Sequence, residues 1–192
     1  MSKLNYNMGY NIGSKIGNNI ESNMLKMFDK FIIYTDGACI NNGRKNAKCS
    51  IGIYFSNKNK YKINDVSEIL KVPTSTNNIA ELTAIKTSLE LVKSHNIDTP
   101  IYLYSDSEYS LNVLEKWYPA WTDSQKKTRK NIQLIDETYK LYKELNPTMT
   151  HVRSHTGNTD EHSLGNEKAD KLATDALNKF ENKTEDILKY FQ

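Results

Sequence analysis

Two short segments of the chain have the same residue pattern, and this pattern limits the folds that the chain can adopt. The segments "FIIYTD" (31–36) and "IYLYSD" (101–106) are runs of β-branched and aromatic residues that each end in an aspartate. Such runs predict buried β-strands. If the two strands are parallel neighbours, Asp36 and Asp106 meet at one edge of the sheet, where α/β proteins place their ligands. A single aspartate after a strand is more often a turn or cap residue, so the matched pair carries the inference.

The rest of the pattern predicts a mixed sheet with helices on both faces. "SIGIYF" (50–55) and "KYKINDVSEI" (60–69) predict two strands of an antiparallel meander, and a last strand is predicted over 148–154. Helices are predicted over about 76–94, 107–117, 129–145 and 163–180. A run of strands followed by alternating helices and strands is typical of an α/β fold.

The composition indicates a soluble, intracellular protein. A chain of 192 residues has room for one α/β domain with a sizeable core. The sequence shows neither an apolar run of membrane-spanning length nor a signal-peptide pattern, so no membrane partner is expected. Its net charge of +3 permits an anionic partner without requiring one. Cys39 and Cys49 lack the spacing of a metal-ligand pair and are expected to be reduced thiols.

The chain divides into one domain and two terminal segments. Residues 1–28 are rich in Asn and Gly with weak periodicity. They are predicted to be a flexible, low-complexity tail, with a short docked helix as the alternative. Residues 29–180 are predicted to form a single folded domain, since no linker splits them, and residues 181–192 to form a C-terminal extension.

Two more acidic residues stand next to apolar positions of predicted helices. Glu81 lies in the first turns of the helix opened by "TSTNN", and Asp170 lies in the last helix between Ala169 and Leu172. Each has an ordinary explanation, because an acid near a helix N-terminus complements the helix dipole and an acid on a helix face pairs with lysines. Alone, neither residue indicates a function.

Taken together, four blocks of the sequence closely resemble the type 1 ribonucleases H. The blocks are "YTDGACINNG", "TSTNNIAEL", "YSDSEYSLNVLEKW" and "SHTGN…GNEKAD", in the family's order, and the resemblance covers roughly residues 30–178. It implies the ribonuclease H-like fold, a five-stranded mixed sheet of three antiparallel strands and then two parallel ones, flanked by helices on both faces. It also implies endonucleolytic hydrolysis of the RNA strand of RNA·DNA hybrids, giving 5′-phosphate and 3′-hydroxyl products. The segment "HVRSHTGNTDEHSLGN" is similar to members encoded by some large DNA viruses.

The resemblance assigns metal ligands and one histidine. It implies two Mg²⁺ ions, with Mn²⁺ as the substitute: Asp36 bridges both ions, Glu81 and Asp106 hold one, and Asp170 completes the other. Hard carboxylate oxygens suit this chemistry. His155 matches the family's mobile-loop histidine, proposed to assist proton transfer to the leaving group or product release.

The loop that carries His155 departs from the common family pattern. The gap from His155 to Asp170 is longer and contains "NTDEHSL". His151 and His162 show no clear partners in the sequence and are expected to be structural or solvent-facing. A zinc site formed by these histidines is the alternative, and it is disfavoured because no such site is needed once Asp170 is assigned to the acidic set.

The resemblance also implies residues that bind the hybrid. Asn42, Asn77 and Asn78 match the family's readers of the RNA 2′-hydroxyl groups, although asparagine is also a common turn residue. For the DNA strand, Thr76 and Asn131 match the family's phosphate pocket. Tyr109 and Trp117 match the aromatic residues that pack against the DNA sugars. Burial in the core is the alternative for both aromatic residues.

Two features of the phosphate contacts differ from the family pattern. An arginine that often accompanies the pocket is Thr74 here, which predicts a weaker grip on the DNA strand. The basic segment "TDSQKKTRK" (122–130) is shorter than the protrusion of many relatives and is a candidate contact to phosphates beyond the cut site.

Two other functions stay open at this point. One is a nuclease of the same superfold that acts on DNA, although such proteins usually lack "TNNIAEL" and carry further DNA-binding domains. The other is a non-catalytic hybrid-binding domain, which the presence of all four acids disfavours. A monomer is expected.

Overall fold

The structure is a computed structural model that describes residues 29–56, 58–71 and 76–189. The predicted tail, residues 1–28, and Thr74 lie outside the described residues. Five strands form one sheet: β1 (Phe31–Ile40), β2 (Lys48–Phe55), β3 (Val66–Ile69), β4 (Ile101–Ser105) and β5 (Thr148–His151). Seven helices are described: α1 (Lys58–Tyr61), α2 (Asn77–Ser94), α3 (Glu108–Asn112), α4 (Tyr118–Ala120), α5 (Asp123–Lys127), α6 (Ile132–Leu145) and α7 (Glu161–Lys189). A wider, π-type turn (Val113–Trp117) joins α3 to α4.

The sheet has the predicted mixed topology. Its strand order is β3-β2-β1-β4-β5, with antiparallel pairing between β1 and β2 and between β2 and β3. β4 is parallel to both β1 and β5. The prediction that the two aspartate-ending segments are parallel neighbours is therefore confirmed.

The two faces of the sheet are covered by different helices. On one face, apolar side chains of β1, β2 and β4 pack against α2, and α6 and the α3–α4 segment join the same apolar cluster through α2. The buried residues of this apolar face include Phe31, Ile33, Ile53, Phe55 and Leu103. On the other face, α7 alone packs closely across β1, β2 and β3 among the described helices. The fold is thus the predicted α/β arrangement with helices on both faces.

The bounds of β3, β5 and α6 differ from the sequence prediction. β3 begins at Val66 and not at residue 60. The residues before it form the short helix α1 and a turn. Asp65 closes this turn, because its side chain accepts a hydrogen bond of 3.1 Å from the Phe55 backbone N–H and pairs with Lys58. β5 ends at His151 because β4 ends at Ser105, whose carbonyl accepts the last ladder bond from Val152. α6 begins at Ile132, after Asn131 adopts a left-handed backbone conformation with φ of 60°.

The last helix is longer than predicted at both ends. It begins at Glu161, where Asp160 Oδ1 accepts hydrogen bonds from the backbone N–H groups of His162 and Ser163, each at 3.1 Å. It continues to Lys189, beyond residue 180 where the sequence pattern weakens. None of the helices in the described part of the chain is long and apolar enough to cross a membrane.

The prediction of reduced thiols is wrong in this structure, which joins Cys39 and Cys49 in a disulfide. The two residues lie directly opposite each other on β1 and β2, with their Cα atoms 4.1 Å apart. Cross-strand neighbours are close enough to be bridged, and that proximity depends on the pairing register of the hairpin. The bridge closes the turn that carries Asn42.

Candidate active site

Three acidic side chains from three different elements meet at one edge of the sheet. Asp36 lies in β1, Glu81 in α2, and Asp106 directly after β4. Carboxylate oxygens of the three residues lie within 4.8 Å of one another. The parallel pairing of Thr35 with Ser105 places Asp36 beside Asp106, as the sequence predicted.

A glycine allows α2 to bring Glu81 to this edge. A Cβ atom on Gly37 would lie 2.5 Å from the backbone nitrogen of Glu81 and 2.7 Å from the Cβ of Ala80. Real Cβ atoms do not approach so closely, so any larger residue would displace the helix. The "TDG" sequence of β1 therefore supplies both an acid and the space for its neighbour.

Burial and mutual repulsion make two of these acids hold protons unusually tightly. Asp36 is 7% exposed and Glu81 is 4% exposed. Burial, followed by the charges of Asp106 and Asp170, raises the pKa of Asp36 to about 7. Burial, followed by the charges of Asp36 and Asp106, raises the pKa of Glu81 well above its usual value. The hydrogen bond between the two side chains lowers the pKa of Asp36 and raises that of Glu81, which favours the proton on Glu81.

The donor set fits a divalent metal ion. All three gathered ligands are hard carboxylate oxygens, which suit small divalent cations. Glu81 Oε2 is buried and has no hydrogen-bond partner among the described residues. An unpartnered buried oxygen is costly, and a bound cation would satisfy it while offsetting the repulsion between the acids.

Asp170 and His155 line the same pocket as the three acids. This open pocket has a volume of about 500 Å³ and is also lined by Asn77, Tyr109 and Ser154. Asp170 is half-buried on α7 and lies outside the group of three mutually close carboxylates, although its charge acts on Asp36. The structure therefore brings all five predicted catalytic residues to one pocket, which are Asp36, Glu81, Asp106, Asp170 and His155.

Helix α7 approaches the sheet over another glycine. A Cβ atom on Gly52 would overlap the carbonyl oxygen of Ala169 and would lie 2.6 Å from the backbone nitrogen of Ala173. Because Ala169 immediately precedes Asp170, this close approach sets how near Asp170 comes to the sheet edge.

The histidines occupy distinct environments. His155 is exposed and has a left-handed backbone conformation with φ of 51°. His151 Nε2 lies 3.2 Å from the backbone oxygen of Asp106, in hydrogen-bond contact beside the acidic cluster. His162 contacts two tyrosines of the sheet.

A second pocket adjoins the first and collects most of the predicted substrate-binding residues. It has a volume of about 490 Å³ and shares Asn77 and Tyr109 with the acidic pocket. Six of the seven predicted residues line it, namely Asn42, Thr76, Asn77, Asn78, Tyr109 and Asn131.

Hydrogen bonds fix the polar walls of this second pocket. Asn42 Oδ1 accepts a hydrogen bond of 3.0 Å from the backbone N–H of Asn77, which ties the turn after β1 to the start of α2. Thr76 caps the same helix, since its hydroxyl oxygen accepts from the backbone N–H of Ile79 at 3.4 Å. Asn42 is therefore held on a turn tied to α2, and Asn77 and Asn78 lie in the capped first turn of that helix.

The seventh predicted residue, Trp117, lies beside the pocket. Its ring packs edge-to-face on that of Tyr109, with centroids 6.0 Å apart. The Trp117 side chain is 42% exposed, which rules out the core explanation for this residue. Tyr109 is half-buried against the core and is hydrogen-bonded to the side chain of Asn131. Burial raises the pKa of Tyr109, so its hydroxyl stays protonated at neutral pH.

Sequence reasoning missed two residues at this site, one beside Asp106 and one in the second pocket. Asn166 is buried, and its Nδ2 donates a hydrogen bond of 3.3 Å to Asp106 Oδ2. Its position one helical turn before Asp170 in "GNEKAD" was the available signal, because residues four apart share a helix face. Lys130 lines the second pocket. The sequence pattern predicts for its segment, residues 122–130, only a contact to phosphates beyond the cut site.

A mixed sheet of this topology, with carboxylates gathered where β1 and β4 adjoin, defines the class of ribonuclease H-like proteins. The sequence model of the family described as RNase H matches residues 29–178. The chain therefore belongs to the RNase H family, as the sequence motifs predicted.

Individual relatives agree with this assignment. The chain is 36% identical to the Ribonuclease H of Clostridium botulinum (strain Hall) over 158 residues, which cover 79% of this chain and 97% of that protein. It is 34% identical to the Ribonuclease H of Schizosaccharomyces pombe over 150 residues, covering 76% of this chain and 52% of that protein. The chain thus spans about half the length of the yeast relative.

A solved structure shows the same fold. Native prototype foamy virus protease-reverse transcriptase matches 76% of this chain with a TM-score of 0.64 and 26% sequence identity. The match covers 20% of that longer chain, so the likeness concerns one of its parts.

Proposed function

We propose that this chain hydrolyses the RNA strand of RNA·DNA hybrids in a reaction that depends on Mg²⁺. The observation that carries the proposal is the continuity of the two pockets, which share Asn77 and Tyr109. One pocket gathers carboxylates suited to cleaving a phosphodiester, and the other presents amides, a hydroxyl and a lysine suited to a sugar–phosphate backbone. Family membership supports the same reaction.

The acids would hold two Mg²⁺ ions. Asp36, Glu81 and Asp106 would hold one ion, and Asp36 with Asp170 would hold the other. When bound, such ions activate a water molecule and stabilise the departing oxygen of a phosphodiester. The products would then be a 5′-phosphate and a 3′-hydroxyl. His155 lies on the exposed side of the pocket, where it would pass a proton to the leaving group or help the product depart.

The second pocket would select the hybrid. RNA displays its 2′-hydroxyl groups in a shallow minor groove, where short amides both donate and accept hydrogen bonds. Asn42, Asn77 and Asn78 would read these groups beside the cut site. Asn131, Thr76 and Lys130 would hold a phosphate of the DNA strand, and the Tyr109–Trp117 pair would pack against its sugars.

A cleavage assay on matched duplexes tests the proposal. An RNA·DNA hybrid, a DNA duplex and an RNA duplex of one sequence are incubated with the protein in Mg²⁺ and, separately, in EDTA. We expect cleavage of the RNA strand of the hybrid alone, with Mg²⁺ only, and products that carry a 5′-phosphate. Cutting of the DNA duplex would instead indicate a DNA nuclease of the same fold, and tight hybrid binding without cleavage would indicate a binding domain.

A further inference from the structure

Three tyrosines form a stacked row across the sheet on the face that α7 covers. Tyr54, Tyr34 and Tyr104 lie directly opposite one another on β2, β1 and β4. The Tyr34 ring stacks on Tyr54 with centroids 5.9 Å apart and on Tyr104 with centroids 5.2 Å apart. Tyr34 is 1% exposed. The proposed reaction makes no use of this tyrosine row.

His162, in the first turn of α7, contacts the tyrosine row. The Tyr34 hydroxyl is hydrogen-bonded to His162 Nδ1 at 3.0 Å. The His162 ring stacks on Tyr104 with centroids 4.1 Å apart and an interplanar angle of 23°. Burial raises the pKa of Tyr34, so its hydroxyl keeps the proton that this hydrogen bond requires. One turn later, Gly165 lies against the Tyr34 ring, where a Cβ atom would overlap the ring carbons.

The same helical turn is tied to the loop that carries His155. Residues 153–160 are all exposed and link β5 to α7. Asp160 caps α7 by accepting from the backbone N–H groups of His162 and Ser163. The hydroxyl of Thr156, next to His155, donates to Ser163 Oγ at 3.2 Å. The loop therefore closes on a helical turn whose own position is set by the tyrosine row.

We propose that His162 is a positioning residue, and that its seat on Tyr34 and Tyr104 holds the His155 loop at the edge of the acidic pocket. The sequence offered no partner for His162, because the hydrogen-bonding tyrosine lies 128 residues earlier in the chain. We call the contacts of His162 with Tyr34 and Tyr104 the anchor. The loop that this anchor holds is longer than in the family pattern and is exposed. This inference rests on the proposed function, since His155 matters only if the chain cleaves a hybrid.

A double-mutant cycle with His155 separates positioning from general stability. The variants are His162→Ala, His155→Ala and the double variant, assayed for turnover of the hybrid. We expect His162→Ala to lower kcat roughly tenfold with little change in KM, because a displaced proton-transfer group loses its alignment. In the His155→Ala background, His162→Ala adds little further loss, since both changes remove the same contribution.

Two conservative variants test the contacts themselves. His162→Phe keeps a ring to stack on Tyr104 but cannot bond Tyr34, and Tyr34→Phe removes the same hydrogen bond from the other side. Each is expected to lower kcat less than His162→Ala, and to keep the protein folded if His162→Ala does not. The matched control is His95→Ala, because His95 is exposed at the end of α2 and its ring is hydrogen-bonded to Ser94 and to the Leu91 carbonyl oxygen of that helix.

Hydrogen exchange measures the anchor without any reliance on activity. Peptides that cover residues 152–162 should exchange faster in His162→Ala and Tyr34→Phe than in the wild type, while His95→Ala leaves them unchanged. Unchanged exchange in the loop, or a full multiplication of the two single-variant losses in the double variant, would overturn the inference. A wild type that does not cleave the hybrid while the loop still responds to His162→Ala would refute the proposed function and leave the anchor standing.

Discussion

The two faces of the sheet are held to their helices by different forces. The apolar face contacts α2 through fully buried side chains such as Ile33, Phe55 and Leu89. The face under α7 carries the tyrosine row beside small residues such as Gly52 and Ser50, and α7 is held there by close backbone approach and hydrogen bonds. Ser50 donates to the carbonyl oxygen of Ala173 at 2.6 Å, and Ser67 to that of Leu172 at 2.7 Å.

This difference bears on function because each face delivers part of the acidic site. Glu81 comes from α2, and Asp170 comes from α7. A helix that packs through large apolar side chains can shift slightly to fit a changed side chain. A helix whose backbone lies directly against the sheet has no room for an added atom. We therefore expect the α7 side to be the more sensitive to an added atom and the apolar face to be the more sensitive to a lost one.

Adding one methyl group at each glycine contact gives the largest expected effect. Gly52→Ala forces a Cβ into the backbone of α7 and should destabilise the fold by about 3 kcal/mol or more. Gly37→Ala makes a milder clash with α2, with the nearest atom at 2.5 Å against 2.0 Å at Gly52, and should cost less. Gly43→Ala is the control, since it has open space and a positive φ of 75°, and it should cost about 1 kcal/mol. Urea unfolding measures all three, and a Gly52→Ala variant as stable as Gly43→Ala would contradict the close approach of α7.

Shortening a side chain on each face tests the expectation that the apolar face is the more sensitive to lost atoms. Leu89→Ala leaves a cavity under the apolar face and should cost about 2–5 kcal/mol in the free energy of unfolding. Ser50→Ala removes one buried hydrogen bond to α7 and should cost about 1 kcal/mol. Hydrogen exchange should then rise locally in α7 for Ser50→Ala, and throughout the core for Leu89→Ala. Equal costs for the two variants would show that both faces are held in the same way.

The repulsion between acids from the two faces predicts a pH-dependent stability of the metal-free protein. The pKa of Asp36 rises from 3.8 to about 7 on folding, so the folded state binds more protons between these values. Stability is therefore greatest below about pH 4 for this group and is lost as the pH rises through about 7. Glu81 contributes in the same direction.

Melting temperatures across this pH range test the prediction. Asp36→Asn should flatten the fall of Tm with rising pH and melt several degrees above the metal-free wild type at alkaline pH. Mg²⁺ should raise the Tm of the wild type more than that of the variant, because only the wild type retains the full ligand set. Asp175→Asn, which changes a part-buried acid on α7 that pairs with Lys171 away from the acidic pocket, should keep the wild-type slope. A wild type whose stability rises over this range would contradict the burial of the acids.

The smallest expected effect concerns the hydrogen bond between α7 and Asp106. Asn166→Ala should lower kcat roughly tenfold, since Asp106 loses a fixed donor, with little change in Tm. Asn166→Asp should be worse, because it places a second charge beside Asp106. The control is Glu167→Ala, an exposed neighbour on the same helix. Wild-type kinetics in Asn166→Ala would show that Asp106 needs no support from α7.

The sequence was sufficient for features that depend on local pattern. The two aspartate-ending strands and the capped helix with Glu81 follow from residue periodicity and turn residues, and the structure has them as predicted. The order of the motifs identified the family, which the comparisons confirm. The residues that line both pockets were predicted largely from the resemblance of the four sequence blocks to the family's motifs.

Features that depend on pairing register escaped prediction. The Cys39–Cys49 disulfide needs the two residues to be opposite each other, which only the hairpin register decides. The contact of His162 with the tyrosine row needs the registers of β1 and β4 together with the path of a long loop. The turn before β3 depends on a single side chain, Asp65, which no periodicity reveals.

The central claim is that the carboxylates gathered at the sheet edge perform the cleavage. The most direct measurement compares wild type and Asp36→Asn for cleavage of one RNA·DNA hybrid in Mg²⁺, with circular dichroism to show that both are folded. We predict that the wild type cuts the RNA strand and that the folded variant leaves it intact at any enzyme concentration tested. A folded Asp36→Asn protein that cuts the hybrid at close to the wild-type rate would contradict the claim.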